Sequence, residues 1–268
     1  MTSNPATAMY RERVDQLSTT RGSGPPVVCA HGTLMDRSMF AGQLDGLSDA
    51  YQVTAYDLRA RTEWHASGYD LSDLARDCTA VLDGIDADTA VIAGMSMGGF
   101  MALRLALEYP ERVAGLVLID TMATPHPDQE RATYSDLVEP FKDELTIPAD
   151  RAELASYELF GETTRATQPS LVDRWIAKWQ TFPGPAVYHE FHSWLDRPDL
   201  TDRLGAVDVP VLIVHGEEDT SIEPSQAEPM LEYLPDADMA TIPEAGHSSN
   251  LEQPERVNTA IREFLETN

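Results

Sequence analysis

Lysine is nearly missing from this chain. Among 268 residues only Lys142 and Lys178 are lysines, and 19 Lys+Arg stand against 45 Asp+Glu, for a formal net charge of −26 and an isoelectric point near 4.4. So little positive charge excludes nucleic acid as a partner, because phosphates need a basic face. Cysteine is just as scarce: Cys29 and Cys78 are the only two, and both fall inside apolar strand and helix patterns. A disulfide scaffold is therefore excluded, and buried free thiols in a reducing compartment are expected. Long apolar runs are lacking too, since no stretch approaches the roughly 20 residues that cross a bilayer. The first twenty residues are polar and include Arg11, Glu12, Arg13 and Asp15 where a signal peptide needs an apolar run. These absences together predict a cytoplasmic protein with no membrane partner.

What is present suffices for a core. Hydrophobic residues make up 42% and charged residues 24%, ordinary for a globular chain, and the length fits one α/β domain or a domain with an insertion. The acidic excess must repel itself. The screening length is roughly 10 Å at 0.1 M salt and about 3 Å at 1 M, so molar salt removes most of that penalty. In this respect the composition resembles that of cytoplasmic proteins from extreme halophiles, which implies a salt-loving host.

Short apolar runs alternate with longer helical patterns. Strands are predicted at about Pro26–Ala30, Tyr51–Tyr56, Ala90–Gly94, Val113–Ile119, Val211–Val214 and Met239–Ile242. Helices are predicted at about Arg37–Leu47, Leu71–Leu82, Met97–Tyr109, Pro224–Tyr233 and Pro254–Leu265. Strands separated by helices call for a mostly parallel sheet flanked by helices, and near-continuous apolar strands suit burial on both faces. The alternation breaks between Asp120 and Val209, where helical sequence carries Tyr157, Phe160, Trp175, Trp179, Phe182, Tyr188, Phe191 and Trp194. This predicts an inserted helical cap over 122–205, between core segments 1–121 and 206–268.

The chemistry gathers at strand ends. Gly94-Met95-Ser96-Met97-Gly98 lies between the apolar run Ala90–Ala93 and the apolar helix that opens at Phe100. That is the G-x-S-x-G nucleophile elbow, in which a strained turn presents the serine hydroxyl and small neighbours let strand and helix approach. A serine hydroxyl is a weak nucleophile at neutral pH and needs a base held by a carboxylate. Asp219 follows the strand Val211–Val214, and His247 follows the strand Met239–Ile242. Both stand at carboxyl ends of strands, where open α/β sheets bind ligands. For a developing oxyanion, Met97 supplies one backbone N–H, and Thr33, or alternatively Leu34, supplies the other from the loop at His31-Gly32.

These motifs resemble the α/β-hydrolase fold family, of the small esterase, lactonase and perhydrolase type, over nearly the whole chain. The resemblance rests on His31-Gly32, the Ser96 elbow, the Gly216-x-x-Asp219 turn and the stretch from Gly246-His247 to Pro254-Glu255. It implies nucleophile, acid and base at Ser96, Asp219 and His247 under a canopy of helices. One segment departs: relatives commonly read Asp-x-Arg-Gly-His-Gly where this chain reads Asp57-Leu58-Arg59-Ala60-Arg61-Thr62, which leaves the shape of that loop open.

The expected activity is hydrolysis of small to medium carboxylic esters through an acyl-enzyme, with a small-molecule ester or lactone as partner and no cofactor. An enol-lactonase or perhydrolase on the same three residues is the alternative chemistry, and a ligand-binding receptor on a hydrolase scaffold is the alternative class. Leu34, Trp175, Trp179, Phe191 and Trp194 are the expected pocket residues, and Met95 and Met97 are expected to line it as well. No metal is expected: His189 and His192 stand three apart but lack further ligands at metal spacing. His65, His126 and His215 read as loop or strand-end residues.

Overall fold

The computed structural model describes residues 5–268; residues 1–4, the start of the polar stretch discussed above, lie outside the described residues. Seven strands form one sheet: β1 (Ser18–Arg21), β2 (Pro26–Ala30), β3 (Gln52–Tyr56), β4 (Ala90–Met95), β5 (Val113–Ile119), β6 (Val211–Gly216) and β7 (Ala237–Ile242). Their order is β1-β3-β2-β4-β5-β6-β7. Only β1 runs antiparallel, against β3, and every other pairing is parallel. The central strands are apolar along their length because helices cover both faces: Val27, Val28, Cys29 and Ala30 of β2 are all buried, as are Leu116 to Ile119 of β5.

Several elements depart from the sequence expectation. The polar start contains a helix, Pro5–Glu12, that buries Ala6, Met9 and Tyr10, followed by the edge strand β1. The predicted helix Pro224–Tyr233 is two short ones, Pro224–Ala227 and Met230–Tyr233. Pro229 between them cannot donate to the helical ladder, so the axis breaks there.

Chain order reverses between β2 and β4: from β2 the chain steps outward to β3, then returns to the other side of β2. Ligands of open α/β sheets sit at such a switch point, and here it brings the loop after β2 against the turn after β4. Between β5 and β6 lie five α-helices, Asp128–Val138, Ala149–Leu159, Glu162–Thr167, Pro169–Trp179 and Gly184–His192. The segment carries one isolated antiparallel bridge, Thr146 to Pro183, and no strand. Its helices supply walls of a cavity over the carboxyl ends of β2, β4, β6 and β7.

The segment that departs from the family pattern forms a tight helical turn at Arg59–Arg61. Arg59 is buried and pairs with buried Asp77 through Nε at 2.5 Å and Nη2 at 3.0 Å. Arg61 reaches across to Glu190 on the helix Gly184–His192.

Candidate active site

Ser96 ends the turn between β4 and the helix Met97–Glu108 with φ +49°, a left-handed conformation that a non-glycine residue holds only when its surroundings enforce it. The glycines on either side make that possible. A Cβ at Gly94 would collide with the Gly98 carbonyl, and one at Gly98 with the Ala30 carbonyl of β2. Strand and helix therefore approach more closely than any side chain allows, and the serine is pushed out of the turn.

His247 Nε2 lies 3.0 Å from Ser96 Oγ, and its Nδ1 lies 2.8 Å from Asp219 Oδ2. A carboxylate only accepts, so Nδ1 carries the proton and the Nε2 lone pair faces the serine hydroxyl. All three residues are buried, with Ser96 8% exposed and bordering the cavity. Asp219 has no spare acceptor: Oδ1 takes the N–H groups of Ser221 at 2.9 Å and Ile222 at 3.0 Å. Its Oδ2 also meets His215 Nε2 at 3.2 Å. Burial pushes the Asp219 carboxyl up, but the two imidazoles outweigh it and hold the group at about 2. Burial conversely favours neutral His247, yet the Asp219 charge and hydrogen bond raise its pKa above the ordinary histidine value.

Two further buried carboxylates hold the frame. Glu252 accepts the N–H groups of Gly246 at 3.0 Å and Ser248 at 3.1 Å on one oxygen, gripping the turn on both sides of His247, and that of Gly161 at 2.9 Å on the other. Asp120, at φ +48° after β5, accepts Gly216 N–H at the end of β6 and Ser249 N–H, both at 2.9 Å. Neither carries a role in the sequence reading. No local signal gave Glu252 away: its short helix is capped at Ser248 with no side-chain cap bond, and two of its three partners, Gly161 and Gly246, lie outside that helix. Asp120, His215 and Asp219 offer donor atoms within 4.8 Å of one another. Every oxygen of the two carboxylates already accepts an N–H, so the chemistry of the cluster is that of a hydrogen-bonded brace.

Thr33 lines the cavity beside Ser96. Met97 opens its helix, where an N–H has no partner one turn back. Leu34, the alternative donor, gives its N–H to Glu190 Oε2 at 3.1 Å. Leu34, Phe191 and Trp194 line the cavity, whereas Trp175 and Trp179 do not. Trp179 is fully buried, stacks on Phe160 at 6.0 Å and donates from Nε1 to the Leu34 carbonyl at 2.7 Å. Trp175 packs against Trp179, and the Lys178 ammonium lies over its ring. Their amphipathic helix turns these rings inward, so they support the loop under the cavity and do not face it. Met95 and Met97 are likewise fully buried behind the serine and outside the cavity wall.

His126 is a loop residue, in line with the sequence reading, and its buried ring forms part of the cavity wall against Tyr134 and Trp194. Burial pushes its pKa down to about 3, so the ring is neutral at pH 7. His189 and His192 instead pack against Tyr188 outside the cavity lining.

The cavity encloses about 780 Å³, ample for a small organic molecule. Phe100, Tyr134, Phe191 and Trp194 form an aromatic wall, continued by Leu137, Val138, Phe141 and Ile147. Its lining carboxylates are Glu130, Glu158 and Glu223, against one cationic side chain, Arg151.

Known proteins share this architecture. A methyl ester esterase of pimeloyl-[acyl-carrier protein] from Nitrosomonas europaea is 31% identical over 255 residues, covering 88% of this chain and 94% of that protein. The solved structure of a thermophilic esterase from Thermogutta terrifontis has a TM-score of 0.87 at 31% identity, covering 93% of this chain and 92% of the other. A 3-oxoadipate enol-lactonase from Acinetobacter baylyi is 25% identical over 244 residues, covering 90% of this chain and 88% of that protein. The pattern of the alpha/beta hydrolase family matches residues 27–260. On that match, and on the sheet that carries Ser96, Asp219 and His247 to one edge, the chain belongs to the alpha/beta hydrolase family.

Proposed function

We propose that the chain is a serine hydrolase of carboxylic esters in which Ser96 is the nucleophile, His247 the base and Asp219 its orienting acid. The observation that carries this reading is the continuous hydrogen-bonded chain from Asp219 through His247 to Ser96 on the floor of an apolar cavity. Ser96 Oγ attacks the ester carbonyl carbon while His247 Nε2 takes its proton. The carbonyl oxygen becomes an oxyanion, held by the N–H groups of Thr33 and Met97. His247 then returns the proton to the departing alkoxide oxygen, the carbon–oxygen bond breaks, and the acyl group stays on Ser96. Water, deprotonated by the same imidazole, releases the acid in the reverse sequence.

The cavity wall supports an uncharged acyl or aryl group of small to medium size. A dianionic lactone has weaker support, since three glutamates and one arginine are the charged side chains in the lining. The acidic surface supports adaptation to molar salt, and two buried unpaired cysteines, each with a pKa pushed up to about 12 by burial, support a reducing compartment. Repeated turnover of nitrophenyl acetate and butyrate is expected. Replacement of Ser96 by alanine should lower kcat by about 10⁴-fold or more, and undiminished turnover in Ser96→Ala would remove Ser96 from the reaction. A single covalent event without turnover would favour a receptor.

A further inference from the structure

We infer that Glu190 is a positioning residue for the oxyanion-binding loop, acting through the backbone N–H of Leu34. This rests on the serine hydrolase reading, which gives the Thr33 N–H, one residue earlier, its task. Leu34 has φ +62°, a left-handed conformation that leucine adopts only under constraint. Both backbone polar groups of Leu34 end on side chains of the insertion: its N–H on Glu190 Oε2 at 3.1 Å, its carbonyl on Trp179 Nε1 at 2.7 Å. The next carbonyl, Met35, accepts from Arg61 Nε at 2.8 Å.

Arg61 and Glu190 complete the clamp. Arg61 Nη2 lies 3.1 Å from one carboxylate oxygen of Glu190 and 3.0 Å from the other, and its guanidinium sits 3.9 Å above the centre of the Phe182 ring. Glu190 is fully buried, so burial pushes its carboxyl up while the Arg61 charge opposes that shift. Buried charges persist when paired and hydrogen-bonded. The segment that departs from the family pattern, Ala60-Arg61-Thr62, is the one that supplies the partner. By taking the Leu34 N–H, Glu190 leaves Thr33 as the loop donor that borders the cavity, and it adds a hold from outside to the Gly32–Met35 turn, whose one local bond is the Met35 N–H to the Gly32 carbonyl at 3.1 Å. A side chain from between β5 and β6 thereby sets the geometry of a site whose three reacting residues all stand on turns at the carboxyl edge of the sheet.

Two double variants separate positioning from mere packing. Glu190→Met with Arg61→Met removes both charges and the acceptor, and kcat is expected to fall by about tenfold or more with KM within about threefold. Glu190→Gln with Arg61→Gln retains an oxygen for the Leu34 N–H, and its kcat should recover to within about threefold of wild type. Equal kcat in the two folded double variants would overturn the proposal. A third measurement holds even where a variant fails to fold: in the wild type, hydrogen exchange at the Leu34 amide should be as slow as in β2, and exchange at the rate of an exposed loop would overturn the assignment. Failure of the wild type to turn over any ester would sink the serine hydrolase reading, while the exchange rate would still decide whether Glu190 holds Leu34.

Discussion

Two imidazoles share one oxygen of Asp219. His215 Nε2 is 2.8 Å from the Ile222 carbonyl and must donate to it, so the same N–H is split toward Asp219. His247 alone faces the serine. Because Asp219 raises its pKa, His247 holds a proton to higher pH than a free histidine, and only the neutral imidazole can accept the Ser96 proton. The acid limb of kcat/KM is therefore expected above the ordinary histidine value of about 6.5, with activity rising as pH passes upward through it. A profile that stays flat down to pH 5 would contradict this. The meeting of Ser96, Asp219 and His247 follows from a local pattern, since each comes soon after a strand and has a glycine within three residues. No such pattern marks Glu190. Its partners, Leu34 and Arg61, lie 156 and 129 residues away, and no local rule announces a buried carboxylate of that kind. Trp175 and Trp179 were misplaced for the same reason: aromatic content shows that rings are buried but not which neighbour buries them.

At the scale of elements, the central strands β2, β4, β5 and β6 could be read because burial on both faces makes them nearly continuous apolar runs. β1 could not, since Ser18-Thr19-Thr20-Arg21 is mostly exposed and earns its place only by pairing with β3. The turn carrying His247 is a similar case of structure held from elsewhere. Three backbone N–H groups converge on Glu252, and a glutamine there has one acceptor oxygen and an NH₂ that would face a donor. Glu252→Gln is expected to lower stability in urea by about 2–3 kcal/mol and to lower kcat, because the turns flanking His247 loosen. An unchanged urea midpoint would show that these three bonds are dispensable.

For the molecule as a whole, charge is the dominant unusual quantity. Even the two lysines are neutralised locally, Lys142 by Glu139 and Lys178 by Asp36. Exposed pairs such as Arg13–Glu63 contribute about 0–1 kcal/mol each, and salt weakens them. The unmatched acidic excess of 26 charges is larger and acts in the opposite direction, so screening should win. The melting temperature is expected to rise by about 5 °C or more between 0.1 M and 3 M KCl; a flat or falling curve would mean that repulsion is not what limits stability. Among the described residues no helix is long and apolar enough to cross a membrane.

The most direct measurement is the mass of the protein after reaction with an alkyl fluorophosphonate, followed by peptide mapping. One adduct per chain on the peptide containing Ser96, absent from Ser96→Ala and much slower to form in His247→Ala, is the expected result. Ester turnover by a protein that carries no adduct at Ser96, or an adduct that maps to another residue, would contradict the account.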